Sequence, residues 1–515
     1  MADATDKISF VAADEAATLR CAAWLAGALH ADDYGLISLE GDLGAGKTAF
    51  ARGLIQARCG RDTIVPSPSF ALVQPYEDAV PPLWHVDLYR LGEAGEVDEL
   101  GLLEALGTHV CLVEWAERAE EILPPALMHI GLGETDSGAR HIDISGPRDK
   151  IAALRKAAAR EDDLLGFLRD AGWQDARRAP LAGDASTRRY ERLSEETAHT
   201  PNTPNTPNTP NTAILMDWAK GPDGPPIYDG KPYSQIAHLA ESMPAYCRMV
   251  DWLTAHGLEA PAILARDEAA GFALMQDFGD RHIANDAQID RAVFYHEAIA
   301  NLLHLHEADA APFLAAYDGT VQAVEAGLFL DWFLPWRGIE ISDAARAGFM
   351  RFWTDTGNAL AAQKRVTVLR DYHSVNLLWR AQAQARFRVG LIDVQDALAG
   401  HAAYDVSSLL CDARLDVDDT HKRTGLTHYL ESRFGDDKRA HEAFLAAYAQ
   451  CTAQRNFKIA GIFVRLAERD LKPTYLRHMP RIMGYLREAL AHPAMAEMAD
   501  WLRLYAPQAL DIADD

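Results

Sequence analysis

The stretch Gly41-Asp42-Leu43-Gly44-Ala45-Gly46-Lys47-Thr48 reads G-x-x-x-x-G-K-[ST], directly after the apolar run Gly35-Leu-Ile-Ser-Leu-Glu40 and before a helix-favouring segment. Glycines are needed there because backbone N–H groups must wrap phosphate oxygens with no Cβ in the way. Lys47 is then expected on the β- and γ-phosphates, Thr48 on Mg²⁺, and the following helix presents its positive end. A strand running into a glycine loop and then a helix predicts an α/β nucleotide-binding domain. Far downstream stands a second constellation, Asp371-Tyr-His-Ser-Val-Asn376 followed by Leu391-Ile-Asp393. The chain therefore reads as two nucleotide-using domains.

Working outward from the loop, Ile8–Ala12 reads as a short strand, 14–30 as an Ala-rich helix, and the segment after Lys47 as helix to about Ala57. Leu83–Asp87, Val110–Glu114, His129–Leu132 and His141–Ile144 are further apolar strand candidates, so the first domain is expected over 1–148. A charged, helix-favouring linker is expected over 149–162 and a second domain over 163–510, its small lobe ending near 278 and its large lobe covering 279–510. Tyr190–Leu193 and Ala213–Met216 read as paired strands. They are separated by four copies of Thr-Pro-Asn over 200–211, whose prolines forbid ladder pairing and predict a solvated insertion.

At 515 residues the chain is too long for one ordinary core. A formal charge of −25 argues against a broad nucleic-acid surface, which would be basic. Cys21, Cys59, Cys111, Cys247, Cys411 and Cys451 are dispersed with no C-x-x-C pair, which fits a reducing compartment. With no signal-peptide profile and no long uncharged apolar run, a cytoplasmic protein without membrane contact is expected.

Three segments narrow the first site. Val65-Pro-Ser-Pro-Ser-Phe70 is a rigid hydroxyl-bearing loop, and His85-Val-Asp-Leu-Tyr-Arg90 and Cys111-Leu-Val-Glu-Trp115 end strands in carboxylates. Carboxylates at strand ends beside such a loop suit Mg²⁺ and water positioning. Over about residues 8–147 these segments resemble the TsaE family, bacterial ATPases needed to make threonylcarbamoyladenosine in tRNA. The resemblance implies that Thr48 and Glu114 hold Mg²⁺, that Asp87 serves hydrolysis, and that Arg140 approaches the nucleotide. It puts Ser67 and Ser69 on a switch-like loop, where the family more often has Thr at the second position. It also implies ATP hydrolysis coupled to a TsaB/TsaD-type threonylcarbamoyl-transfer complex rather than chemistry on tRNA.

In the second constellation, Asp371 and Asn376 stand five apart as in the kinase loop D-x-x-x-x-N, and Asp393 follows seventeen residues after Asn376. The Asp handles the acceptor proton, and the Asn and second Asp are the Mg²⁺ ligands. Upstream, Leu181–Tyr190 is the candidate nucleotide loop, with Ser186 and Arg188 as contacts, and Gly271–Gly279 the candidate hinge. From 163 to 510 the chain resembles the aminoglycoside-phosphotransferase-like kinases, a bilobal α+β protein-kinase-like fold. The nearest branch is the AmgK-type kinases of N-acetylmuramate and N-acetylglucosamine, which phosphorylate the anomeric hydroxyl. The resemblance rests on G-D-A-S-T-R-R-Y at 183–190, R-D-Y-H-S-V-N at 370–376, L-I-D-V-Q-D-A at 391–397 and A-Y-D-V-S-S-L-L at 403–410. It implies ATP and Mg²⁺ as cofactors, an amino sugar as acceptor, Asp371 as base, Asn376 and Asp393 on Mg²⁺, and Asp405 as a structural support of the loop.

One departure stands out. The strand expected to carry an ATP-positioning lysine reads Ala213-Ile-Leu-Met-Asp217, with Lys220 beyond it and Arg188 or Arg189 as substitutes. For the acceptor, Asp331-Trp-Phe-Leu-Pro-Trp336 offers aromatic faces, although aromatic clusters are more often core. Arg455, Lys458, Arg465 and Arg469 form a basic stripe that suits a carboxylate or phosphate, although a solvated face is the more common outcome. Two other readings stay open for this half: a silent binding module, and an antibiotic-modifying phosphotransferase.

Overall fold

The computed structural model describes residues 5–60, 63–93, 95–181, 188–195, 211–218, 226–228, 230–239, 242–470 and 472–512. Ser186, Lys220 and nearly all of the Thr-Pro-Asn repeat lie outside the described residues. The chain divides into two compact units, Met1–Gln174 and Asp175–Asp515.

In the first unit, Val110–Glu114 is buried along its whole length, the pattern of a strand covered on both faces. It sits between Gly35–Glu40 and Leu83–Asp87, parallel to both. The full seven-stranded sheet runs Thr5–Ala12, Arg140–Pro147, Met128–Glu134, Gly35–Glu40, Val110–Glu114, Leu83–Asp87, Val73–Tyr76. The central strands are parallel, whereas Thr5–Ala12, Arg140–Pro147 and Val73–Tyr76 pair antiparallel. Helices Glu15–Ala28 and Lys47–Cys59 pack against one another, Phe50, Leu54 and Leu25 filling the core beneath them.

The six expected strands of this unit are present, three with the expected bounds and three a few residues longer than their apolar centres. The segment 149–162, expected as a linker, lies within the single helix Arg148–Asp170. That helix buries Ile151 and Leu154 in the first unit's core, and it also buries Lys150, which pairs with Asp33.

The second unit opens with a five-stranded antiparallel sheet in the order Ile263–Asp267, Phe272–Gln276, Asn211–Asp217, Arg189–Glu195, Arg177–Pro180. The expected pairing is present, with Leu193 opposite Ala213 and Tyr190 opposite Met216. A helical body follows, built around the 31-residue helix Lys438–Glu468. Its middle, Cys451–Gly461, is buried on every side, as a central helix must be. A Cβ at Gly461 would lie 2.3 Å from the Leu328 carbonyl, so only glycine lets helix Gly319–Leu328 approach this closely. Two short pairings, Val366–Val368 with Leu398–Gly400 and Leu377–Trp379 with Val389–Leu391, hold the loop 369–376 between them.

Candidate active sites

In the first unit the loop Gly41–Thr48 curls off the end of Gly35–Glu40. Gly41 adopts φ +137, and a Cβ there would fall 2.2 Å from the Leu132 carbonyl oxygen. A Cβ at Gly46 (φ +105) would fall 2.6 Å from Arg140 Nε, so Arg140 lies against the loop. Lys47 Nζ donates to the Gly41 and Asp42 carbonyls at 2.6 and 3.0 Å and sits 3.8 Å from the Trp115 ring centre. Burial lowers its pKa, and the acids Glu114, Glu117, Asp87 and Asp42 offset part of that effect.

Asp87 and Glu114 are register partners at the ends of adjacent parallel strands. Thr48 Oγ1 donates to Glu114 Oε1 at 2.8 Å. Ser69 Oγ donates to Asp87 Oδ2 at 2.9 Å and lies 2.7 Å from Ser67 Oγ, so the hydroxyl loop is latched to the carboxylate strand. Sequence reasoning quoted His85 and Trp115 without giving either a role. His85 is fully buried, with Nε2 2.9 Å from Glu114 Oε1. The signal was available: His85 sits two residues before Asp87 on one strand face, and its register partner Leu112 is two before Glu114. A hydroxyl and a carboxylate beside a glycine cradle form a hard oxygen donor set, which fits Mg²⁺ with a nucleoside triphosphate.

In the second unit, Asp405 sets the catalytic-type loop. Its carboxylate accepts from Leu369 N at 2.7 Å and Arg370 N at 2.9 Å. Asp412, not singled out from sequence, accepts from Ser374 N at 2.8 Å and Arg414 N at 2.8 Å. Asn376 Nδ2 donates to the Asp371 carbonyl at 3.1 Å, and Ile392 N donates to the Asn376 carbonyl at 3.0 Å, which brings Asn376 beside the segment carrying Asp393. Asp393 takes φ +59, a conformation a short polar side chain tolerates. Its Oδ1 is 2.5 Å from Arg188 Nη1, and the Arg188 guanidinium stands 5.0 Å from the Trp218 ring centre. Of the two arginines proposed to replace the strand lysine, Arg188 is at the site and Arg189 is exposed on the sheet opposite Asp217. An amide oxygen and a carboxylate again suit Mg²⁺.

Beside Asp371 lies a cavity of about 200 Å³. Among the described residues, Arg370, Arg414, Arg455, Lys458 and Arg465 line it against two carboxylates, Asp371 and Asp412. Asn376 and Asp393 are not among the residues that line it. Burial favours the protonated form of Asp371, but Lys458, with His373, Arg370 and Arg455, overcomes this and holds its pKa at about 2. Burial lowers the pKa of His373 below that of a free imidazole.

The cations are organised from below by Glu325, which is fully buried and went unnoticed in the sequence. It accepts from Arg370 Nη2, Tyr317 OH, Gln454 Nε2 at 3.2 Å and Lys458 Nζ at 3.3 Å. The basic stripe is therefore no solvated face: Arg455 and Lys458 are 3% and 7% exposed, and only Arg469 turns away, to Asp470. The aromatic segment 331–336 is only partly core and none of it lines the cavity: Phe333 and Leu334 are buried, Trp332 is half-buried and Trp336 is exposed. Phe333 is buried in a nest with Phe329, Phe349, Trp353 and Phe457, and Asp331 pairs with Arg346.

Residues 12–142 match the family model described as threonylcarbamoyl adenosine biosynthesis protein TsaE, and residues 177–448 match the phosphotransferase enzyme family. An N-acetylmuramate/N-acetylglucosamine kinase of Caulobacter vibrioides is 35% identical over 372 residues, covering 68% of this chain and 98% of the relative. Its counterpart in Pseudomonas aeruginosa is 30% identical, with 64% and 90% covered. The tRNA threonylcarbamoyladenosine biosynthesis protein TsaE of Rickettsia conorii is 37% identical over 156 residues, covering 30% of this chain and 84% of the relative. The chain thus belongs to the TsaE family through its first unit and to the phosphotransferase enzyme family through its second.

Proposed function

We propose that the chain carries two separate ATP-dependent activities. The first unit hydrolyses ATP in support of threonylcarbamoyladenosine formation in tRNA, acting on a TsaB/TsaD-type complex. The second transfers the γ-phosphoryl group of ATP to the anomeric hydroxyl of N-acetylmuramate or N-acetylglucosamine. Relatives bearing those names support the pairing. The observation that carries the kinase half is an ionised Asp371 at the mouth of a cation-lined cavity. The same excess of cations disfavours a polycationic aminoglycoside acceptor, by like-charge repulsion in a partly desolvated space. Six unpaired cysteines, and the absence among the described residues of any helix long and apolar enough to cross a membrane, are compatible with work in the cytoplasm.

In the first unit, Gly41–Lys47 would wrap the phosphates, Thr48 and Glu114 would hold Mg²⁺, and Asp87, latched by Ser69, would orient water. Arg140 would add positive charge beside Gly46. In the second, Asp371 accepts the hydroxyl proton as the acceptor oxygen bonds phosphorus and ADP departs. Asn376 and Asp393 would hold Mg²⁺, whose charge neutralises the phosphate oxygens when bound. Arg188 supplies the cation missing from Ala213–Asp217, and Ser186 would contribute from the nucleotide loop. Supplying ATP with either amino sugar should yield the sugar 1-phosphate. In Asp371→Asn the rate should fall by roughly a hundredfold or more. No product from either sugar would rule out the kinase half and favour the silent-module reading.

A further inference from the structure

We infer that the cavity beside Asp371 reads a carboxylate carried by the acceptor, and that Arg465 is its specificity-determining residue; this rests on the amino-sugar kinase reading above. The other cavity cations have partners of their own. Arg370 donates to Glu325, to the Ala237 carbonyl at 3.0 Å and to the Asp396 carbonyl at 3.2 Å. Lys458 is held by Glu325 and the Tyr404 hydroxyl, each at 3.3 Å. Arg455 reaches the Cys411 carbonyl at 3.4 Å.

Arg465 differs. It lines the same cavity, and its Nε is buried without a hydrogen-bond partner among the described residues. The Tyr233 ring centre lies 5.5 Å from its guanidinium carbon, which is a face rather than an anion. Asp470, the carboxylate whose charge bears on Arg465, is engaged by Arg469. Burial lowers the Arg465 pKa, the electrostatic mark of a cation short of anions. A buried donor left unsatisfied is costly, and a charged acceptor arriving with the ligand removes that cost. The apolar side chains Ile459, Ile462 and Phe463 line the cavity on the same helix. A carboxylate on a short methyl-bearing stem satisfies both features. N-acetylmuramate differs from N-acetylglucosamine by such a group, a lactyl ether.

The test is the ratio of kcat/KM for N-acetylmuramate to that for N-acetylglucosamine, measured on the full chain. The parent should favour N-acetylmuramate. In Arg465→Gln the ratio should fall by roughly tenfold to a hundredfold, the worth of a charge-assisted hydrogen bond. In Arg465→Lys, which keeps the charge, it should recover in part. A ratio within about threefold of the parent's in Arg465→Gln, while both sugars are still turned over, would overturn the assignment; so would a parent that does not favour the carboxylate sugar. Absence of turnover of both sugars by the parent would defeat the kinase reading instead, so the two failures are distinguishable.

Discussion

Glu325→Gln is the substitution that most sharply tests the buried charge network. Gln keeps the shape of the side chain but removes the carboxylate with which Arg370 and Lys458, 1% and 7% exposed, both pair directly. Breaking a buried pair from one side leaves an uncompensated charge and costs about 3–5 kcal/mol. At about 2.1 cal/mol/K per residue of unfolding entropy, a unit of about 340 residues should melt about 4–7 °C lower. A differential scan of the full chain should show this shift in the second unit's transition alone, because Glu325 lies wholly within it. The matched control is Asp331→Asn. It also removes a carboxylate from an arginine pair, but both side chains are more than 40% exposed. Solvent screening limits that loss to below about 1 kcal/mol. If Glu325→Gln and Asp331→Asn shifted the transition equally, or Glu325→Gln left it within about 1 °C, the reasoning from burial would be refuted.

Two further outcomes are expected. Gly41→Ala should weaken binding of a non-hydrolysed ATP analogue to the first unit by roughly tenfold or more, because its Cβ meets a backbone carbonyl at a positive φ; unchanged affinity in calorimetry would contradict the crowding argument. For pH dependence, a carboxyl depressed from 3.8 to about 2 stays ionised above both values, so its stabilising contribution is present above 3.8 and lost as pH falls through about 2. The kcat/KM profile for the sugar between about pH 5 and pH 8 should therefore show no acid limb from Asp371. A limb in that window that disappears with Asp371→Asn would contradict the assignment.

Local chemistry carried much of this into the sequence. The glycine loop, the carboxylates ending buried strands, and the spacing of Asp371, Asn376 and Asp393 each impose their own residue types, so they can be read without neighbours. What escaped depends on contacts distant in sequence. Glu325 meets Arg370 and Lys458 across 45 and 133 residues. Asp412 caps the Ser374 amide from 38 residues away. Nothing in the flanking sequence marks either as more than an acid in a helical region. The basic stripe illustrates the same limit. Its helical spacing is visible, but whether it faces water or a cavity depends on what packs around the helix. The segment 149–162 shows the limit again: its helical character is legible in the sequence, its packing is not. Its charges dominate the composition, while Ile151 and Leu154 decide where it packs.

The most direct test of two separate sites is a reciprocal pair of variants in the same full-length chain, assayed for both activities. Lys47→Ala should abolish support of tRNA threonylcarbamoylation in a reconstituted system and leave sugar phosphorylation within about twofold of the parent. Asp371→Asn should do the reverse. Loss of both activities in either variant, with the melting profile unchanged, would contradict the account.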